Sequence, residues 1–248
     1  MVKNIEREAR KRAILATTIN RYILEALPIA SEELAEHFNL SSATIRNVFS
    51  ELEDEGYLTH LYTSGGRIPT EKGYRYYVDS LLLQMQLLDD EKGRITKEYT
   101  KKIKRMEDVL EETSKVIAEA THYTGIVSFL EWQDKMFYKG LSRILEQPEF
   151  KNTQKLHLLI RIIEDKQQLL ELINRDFPDR VKVYIGQELE SPEMADCSLV
   201  VSGYRRRNKP QGKLAVLGPL RMEYNHIIPA LEYISDVLSA ALENIDGE

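Results

Sequence analysis

The sequence predicts an α+β protein of two domains joined by a long helix, and three observations carry that reading. Up to about Leu83, three helical patterns are followed by a glycine-centred hairpin. From Asp89 to His122, apolar residues recur three and four apart over one long stretch. Beyond Tyr123, β-branched runs alternate with amphipathic ones, as in a mixed helix-and-strand domain. A chain of 248 residues exceeds one average domain, and boundaries of 1–83, 84–122 and 123–248 follow from these changes of pattern.

The first helix is expected over Glu6–Glu25, where Ile14, Leu15, Ile19, Tyr22 and Ile23 share a face and Leu27-Pro28 ends the run. Ser31 reads as the next N-cap, with Glu32 and Glu33 at the positive end of a short helix that buries Leu34, Ala35 and Phe38. Asn39-Leu40 makes the turn, since asparagine tolerates a left-handed backbone. Ser41 and Ser42 then offer a cap for a helix over Ala43–Glu55. Its buried stripe is Ile45, Val48, Phe49 and Leu52, which leaves Thr44, Arg46, Asn47, Ser50 and Glu51 outward. A recognition helix reads bases from its first turns. There Arg46 suits the guanine edge and Asn47 the adenine edge. Alone, those two residues fit an ordinary surface helix equally well.

The next segment separates the two readings. Gly56 closes the helix, Tyr57–Tyr62 reads as a strand, Thr63-Ser64-Gly65-Gly66 as a tight turn, and Arg67-Ile68-Pro69 as the return. Three helices and such a hairpin make a winged helix-turn-helix. The backbone around Ser64, Gly65 and Gly66, with the Arg67 guanidinium, suits phosphates or a minor groove. Thr70 caps a further helix, from Glu71 to about Leu83, on which Lys72 and Arg75 share a face while the tyrosines serve packing. The candidate DNA-contacting set is therefore Ser41, Ser42, Thr44, Arg46, Asn47, Ser64, Gly65, Gly66, Arg67, Lys72 and Arg75. A winged module that binds protein is the rival reading.

Charge sets a limit on this. The chain carries a net −6, and up to Ser80 it has ten Lys or Arg against twelve Asp or Glu. That excludes a nonspecific DNA-coating protein and leaves a regulator whose contacts come from local clustering. Cys197 is the single cysteine, so no intrachain disulfide forms. Without a signal-peptide pattern or a bilayer-length apolar run, a cytoplasmic location and no membrane contact are expected. The five histidines are scattered without ligand spacing, and no nucleophile elbow or phosphate loop occurs. No catalytic residue, metal or cofactor is expected.

In the linker, Ile95, Tyr99, Ile103, Met106, Leu110, Thr113, Ile117 and Ala120 form a heptad-like stripe opposite Lys101, Lys102, Lys104 and Arg105. Packing on the chain's own second domain is favoured over a dimer seam, because Thr113 and Ala120 weaken a coiled coil. The second domain reads as strands over Tyr123–Leu130, Val181–Ile185, Cys197–Tyr204 and Lys213–Leu217. Helices are expected over Leu156–Ile163, Lys166–Arg175 and Asn225–Ile245. Arg205, Arg206 and Arg207 fall at the expected hairpin tip and read as a solvated turn.

Three runs together resemble one family. They are Ser41 to Asn47 with Glu51-Leu52-Glu53; Thr63 to Asp79; and the downstream pieces Leu145 to Phe150, Cys197 to Val200 and Leu217 to Tyr224. On these residues, spread over nearly the whole chain, the sequence is similar to the HrcA family of heat-inducible transcription repressors. The resemblance implies a dimeric repressor of chaperone operons that binds an inverted-repeat operator and releases it on heat shock. It also implies that the chaperonin assists the active state, and that the carboxy-terminal domain is GAF-like, serving dimerisation and regulation. After the strand Tyr123–Leu130, the family pattern resumes at Phe137 to Leu141. Full-length members carry a dimerising insertion of about a hundred residues there, long enough for a domain. The chain resembles a shortened member with a second domain of reduced size. Val48-Phe49 and Gly65 also differ from the usual family residues. A small-molecule-responsive regulator, with its ligand in the GAF-like domain, remains the alternative to a heat-shock repressor. A winged module that binds protein, the chaperonin among the candidates, is the other.

Overall fold

A computed structural model describes residues 2–60, 66–82, 91–93, 95, 106–132, 135–175, 180–207 and 209–244, and the chain separates into two compact units, Met1–Leu83 and Gln84–Glu248.

In the first unit, helix α1 (Val2–Glu25) buries Ile14, Leu15, Ile19 and Ile23 along one stripe. It stops ahead of Leu27-Pro28, because Ala26 takes a left-handed backbone (φ 54°) and donates its amide to the Tyr22 carbonyl at 2.9 Å. Helix α2 (Ser31–Phe38) corrects the expected cap. Ala30 is the N-cap, and the Glu33 carboxylate reaches back to accept the Ala30 amide at 3.1 Å, while Ser31 is the first helical residue. Asn39 is left-handed (φ 52°). Ser41 caps helix α3 (Ser42–Asp54), its Oγ accepting the Thr44 amide at 3.1 Å. Ile45, Phe49 and Leu52 are buried as the spacing requires, whereas Val48 is only half-buried.

Gly56 (φ 78°) turns the chain out of α3 into strand β1 (Leu58–Thr59), which pairs antiparallel with β2 (Ile68–Pro69). The rest of the expected hairpin, residues 61–65, lies outside the described residues. Ile29 joins this ribbon from the α1–α2 connection, exchanging two backbone hydrogen bonds of 2.9 Å with Arg67. Thr70 caps helix α4 (Glu71–Leu81), accepting the Gly73 amide at 3.1 Å and donating to the Gly56 carbonyl at 2.6 Å. A Cβ at Gly73 would stand 2.3 Å from the Tyr57 carbonyl oxygen, so α4 can lie against this turn only with glycine there.

The second unit is a five-stranded antiparallel sheet of order β4-β3-β7-β6-β5, or 2-1-5-4-3 counted within the unit, a GAF-like arrangement. Its strands are β3 (Thr124–Phe129), β4 (Met136–Lys139), β5 (Lys182–Ile185), β6 (Cys197–Arg206) and β7 (Lys209–Pro219). The last two run past the expected ends, so Arg205 and Arg206 belong to a strand and pair with Pro210 and Lys209. Helices α5 (Met106–Thr121) and α9 (Tyr224–Asn244) cover one face. Helices α6 (Leu141–Leu145), α7 (Thr153–Glu164) and α8 (Lys166–Asn174) cover the other, where Leu159, Ile162 and Leu169 meet Ile126, Leu199 and Leu217 in one apolar cluster.

The described part of the linker stripe is spent on this sheet. Leu110, Thr113 and Ile117 are buried in α5, and the Thr113 hydroxyl donates to the Val109 carbonyl at 2.6 Å. That internal bond is why a threonine is tolerated in the stripe. Helix α5 also needs Gly125, since a Cβ there would lie 2.5 Å from the Ser114 carbonyl oxygen. Two of the three downstream motifs meet in space here: Arg221, almost fully buried, donates to the Glu149 carboxylate (2.5 Å) and to the Gln147 side-chain oxygen (2.8 Å). Between β3 and β4 the chain turns within six residues, Leu130 to Lys135. The Leu130 amide is held by the Gln211 carbonyl at 2.8 Å, and Trp132 packs on Phe129 with ring centroids 4.8 Å apart.

Candidate nucleic-acid interface

Helix α3 presents polar side chains opposite Ile45, Phe49 and Leu52, and the sequence-predicted residues divide into three groups around it. Ser41, Ser42, Thr44, Arg46 and Asn47 lie together at its amino-terminal end. Ser41 caps the helix, with its hydroxyl also 2.8 Å from the Thr44 hydroxyl. Arg46 and Asn47 stand exposed one turn in. The Arg46 side chain is 66% exposed, and Glu32 of α2 lies 3.8 Å from its guanidinium. A pair that long and that open to water is weak, and a stronger acceptor displaces it.

The second group is the wing. Gly66 is required by packing: a Cβ there would meet the Pro28 carbonyl carbon and the Ile29 carbonyl oxygen at 2.7 Å. Arg67, with its side chain only 20% exposed, points a guanidinium nitrogen at Glu53 of α3 at 2.8 Å instead of standing clear of the turn. The other Glu53 oxygen is 2.5 Å from Nδ1 of His60, which directly follows β1. Ser64 and Gly65 lie outside the described residues.

The third group is Lys72 and Arg75 on α4. Lys72 donates to the Glu55 carbonyl at 2.7 Å, at the C-cap of α3, and lies 4.6 Å over the Tyr57 ring. This satisfies a carbonyl at the negative end of the helix. It also puts the ammonium roughly 20 Å along the helix axis from Ser41. Arg75 pairs with Asp79 one turn on, at 3.3 Å. The amino-terminal α3 residues thus form one patch, and the α4 residues do not extend it.

Sequence reasoning missed the carboxylates that organise this surface. Glu51 binds Arg7 of α1, and Glu55 binds Lys11 at 2.6 Å. The Lys11 ammonium is held above its ordinary range, chiefly by the hydrogen bond it gives Glu55. Glu53 falls seven residues after Arg46 and so shares its exposed face, which is legible in the sequence. Its partners come from the far ends of a hairpin and are not. Among the described residues no group of three or more His, Cys, Asp or Glu could hold a metal ion, and no helix is long and apolar enough to cross a membrane.

Two family models match the chain: a DeoR-like helix-turn-helix domain over residues 17–68 and the HrcA protein C terminal domain over residues 128–228. The heat-inducible transcription repressor HrcA of Carboxydothermus hydrogenoformans is 28% identical, with 96% of this chain and 98% of the relative covered. That of Geobacter sulfurreducens is also 28% identical, with 94% and 98% covered. The first alignment runs over 337 positions against 248 residues, so at least 89 positions of the relative, the difference, have no counterpart in this chain. A crystal structure described as that of a hypothetical protein shares the fold, with a TM-score of 0.79 at 18% identity over 96% of this chain and 99% of that one. These matches, which reach both units, support membership of the HrcA family.

Proposed function

We propose that the protein is a sequence-specific DNA-binding repressor of heat-shock genes, acting as a dimer on a two-fold operator in the cytoplasm. The observation that carries this reading is the patch at the start of α3, where Ser41 caps the helix and Arg46 and Asn47 stand exposed one turn in. Those side chains have the fork geometry that reads guanine and adenine edges in a major groove. The relatives named as heat-inducible transcription repressors support the regulatory role. Ser41, Ser42, Thr44, Arg46 and Asn47 make the base and nearby phosphate contacts, and the wing around Ser64, Gly65, Gly66 and Arg67 supplies a second point of attachment. Lys72 and Arg75 contribute only long-range charge. The protein binds without catalysing a reaction, and a chaperonin is the expected regulator of its active state.

Each recognition helix fills one half-site, so the half-sites lie whole helical turns apart. Selection of duplexes from a random pool by the full chain tests this directly, because no operator has to be assumed. An inverted repeat should emerge, and Arg46→Ala should weaken binding to it by about 1–3 kcal/mol without altering the melting temperature. A pool that stays random through selection at moderate salt overturns the reading.

A further inference from the structure

We propose that Glu53 sets the specificity of the reading head by holding the wing's arginine, Arg67, on α3, so that its charge is delivered at one place. The inference rests on the DNA-reading function proposed above. Its basis is a single carboxylate that serves both sides of the wing: Oε1 lies 2.5 Å from His60 Nδ1, and Oε2 lies 2.8 Å from an Arg67 guanidinium nitrogen. His60 follows β1 and Arg67 precedes β2, so the hairpin is tied where it leaves the ribbon and where it returns. Both partners of the Arg67 pair are largely sheltered, with side chains 20% and 18% exposed, which limits screening by salt. The anchor residue also lies on the same helix face as Arg46, two turns on, so wing and base-reading side chain share one rigid support.

The consequence follows from how charge acts on DNA. A guanidinium untethered near a duplex meets any phosphate in reach, gives the same affinity to every sequence, and steepens the salt dependence by about 0.9 per contact. A guanidinium held by Glu53 reaches DNA only where the α3 patch has already set the register. Glu53 is thus a positioning residue, and its negative charge is part of the function although it repels phosphate.

The test compares the duplex selected by the full wild-type chain with a scrambled duplex of equal length, over a series of KCl concentrations. Glu53→Gln keeps the side chain's shape and removes its charge. Binding to scrambled DNA should tighten about threefold, with the salt slope steeper by about 0.9. Binding to the selected duplex should weaken, so that the preference falls about tenfold. Adding Arg67→Gln to that variant should return the salt slope to the wild-type value. Equal weakening on both duplexes with an unaltered slope would mark Glu53 as merely structural and overturn the proposal. Should Glu53→Gln lose its helical circular dichroism, Glu53→Asp, which keeps the charge on a shorter arm, must still at least halve the preference, or the proposal fails. A wild-type chain that selects no sequence removes the DNA-reading function and this inference with it. A wild-type preference left intact in both Glu53 variants removes this inference alone.

Discussion

In the first unit the side chains that fix α3, Arg7, Lys11 and Arg67, meet Glu51, Glu55 and Glu53 at or near a surface open to water. In the second unit the corresponding tie, Arg221 to Glu149 and Gln147, is largely interior, between a helix turn and the loop that follows β7. The second unit also buries Ser128, Ser198, Ser202 and Tyr204. The Tyr204 hydroxyl donates to the Ser128 carbonyl at 2.9 Å across a space that Gly212 must leave free. One unit spends its polar groups on a surface whose arrangement salt or a ligand can alter. The other spends them inside, where they fix strand register.

The largest effect that separates the two is chemical. Cys197 is buried in β6, and burial pushes its thiol up to about 12 from 9.0. At pH 8 the thiolate fraction is then about a thousandfold below that of a free cysteine. A disulfide reagent should leave the native chain unmodified over hours and titrate one thiol at once in urea. Rapid native labelling would mean that the sheet opens readily, and would break the contrast.

Core truncation in the head comes next. Phe49 is buried on the inner face of α3, and Phe49→Ala should cost about 3–5 kcal/mol, chiefly as an unfilled cavity. Trp132 is the single tryptophan and lies in the second unit, so its emission reports that unit alone. Helical circular dichroism should be partly lost at lower temperature while the Trp132 transition stays in place. One shared transition would show that the units do not melt separately. Arg221→Ala should do the reverse, lowering the Trp132 transition by about 2 kcal/mol because Glu149 loses its buried donor, with binding to the selected duplex unchanged.

What the sequence revealed divides along the same line. The Ser41 and Thr70 caps, the left-handed Asn39 and the Gly56 stop are settled within three or four residues, and each was legible. Ser31 misled because a serine before two glutamates resembles a cap. The Glu33 carboxylate reached the Ala30 amide instead. The expected patch at the start of α3 needed only helical periodicity and a cap. The Glu53 bridge, the Ile29–Arg67 pairing, the Arg221–Glu149 tie and the strand order all join residues far apart in the chain, for which no local periodicity exists. The resemblance put Glu149 and Arg221 in matching motifs without showing that they touch.

The smallest expected effect is the most instructive about the head. Arg7 is 64% exposed and its partner Glu51 34%, so their pair exchanges protein contact for water at little net gain. Arg7→Gln should change stability by no more than about 0.5 kcal/mol, and the difference should vanish in high salt. Chemical unfolding at low and high KCl measures it. The Glu53–Arg67 pair is more sheltered, with side chains 18% and 20% exposed, so its loss should cost more stability than that of Arg7, yet its larger consequence should be the tenfold fall in sequence preference. An ion pair of modest weight in folding can carry weight in recognition, because binding depends on where a charge is held and folding depends mainly on what is buried. If Arg7→Gln instead lowered stability by several kcal/mol, the carboxylates of α3 would be structural as a set, and the distinction between Glu53 and its neighbours would disappear.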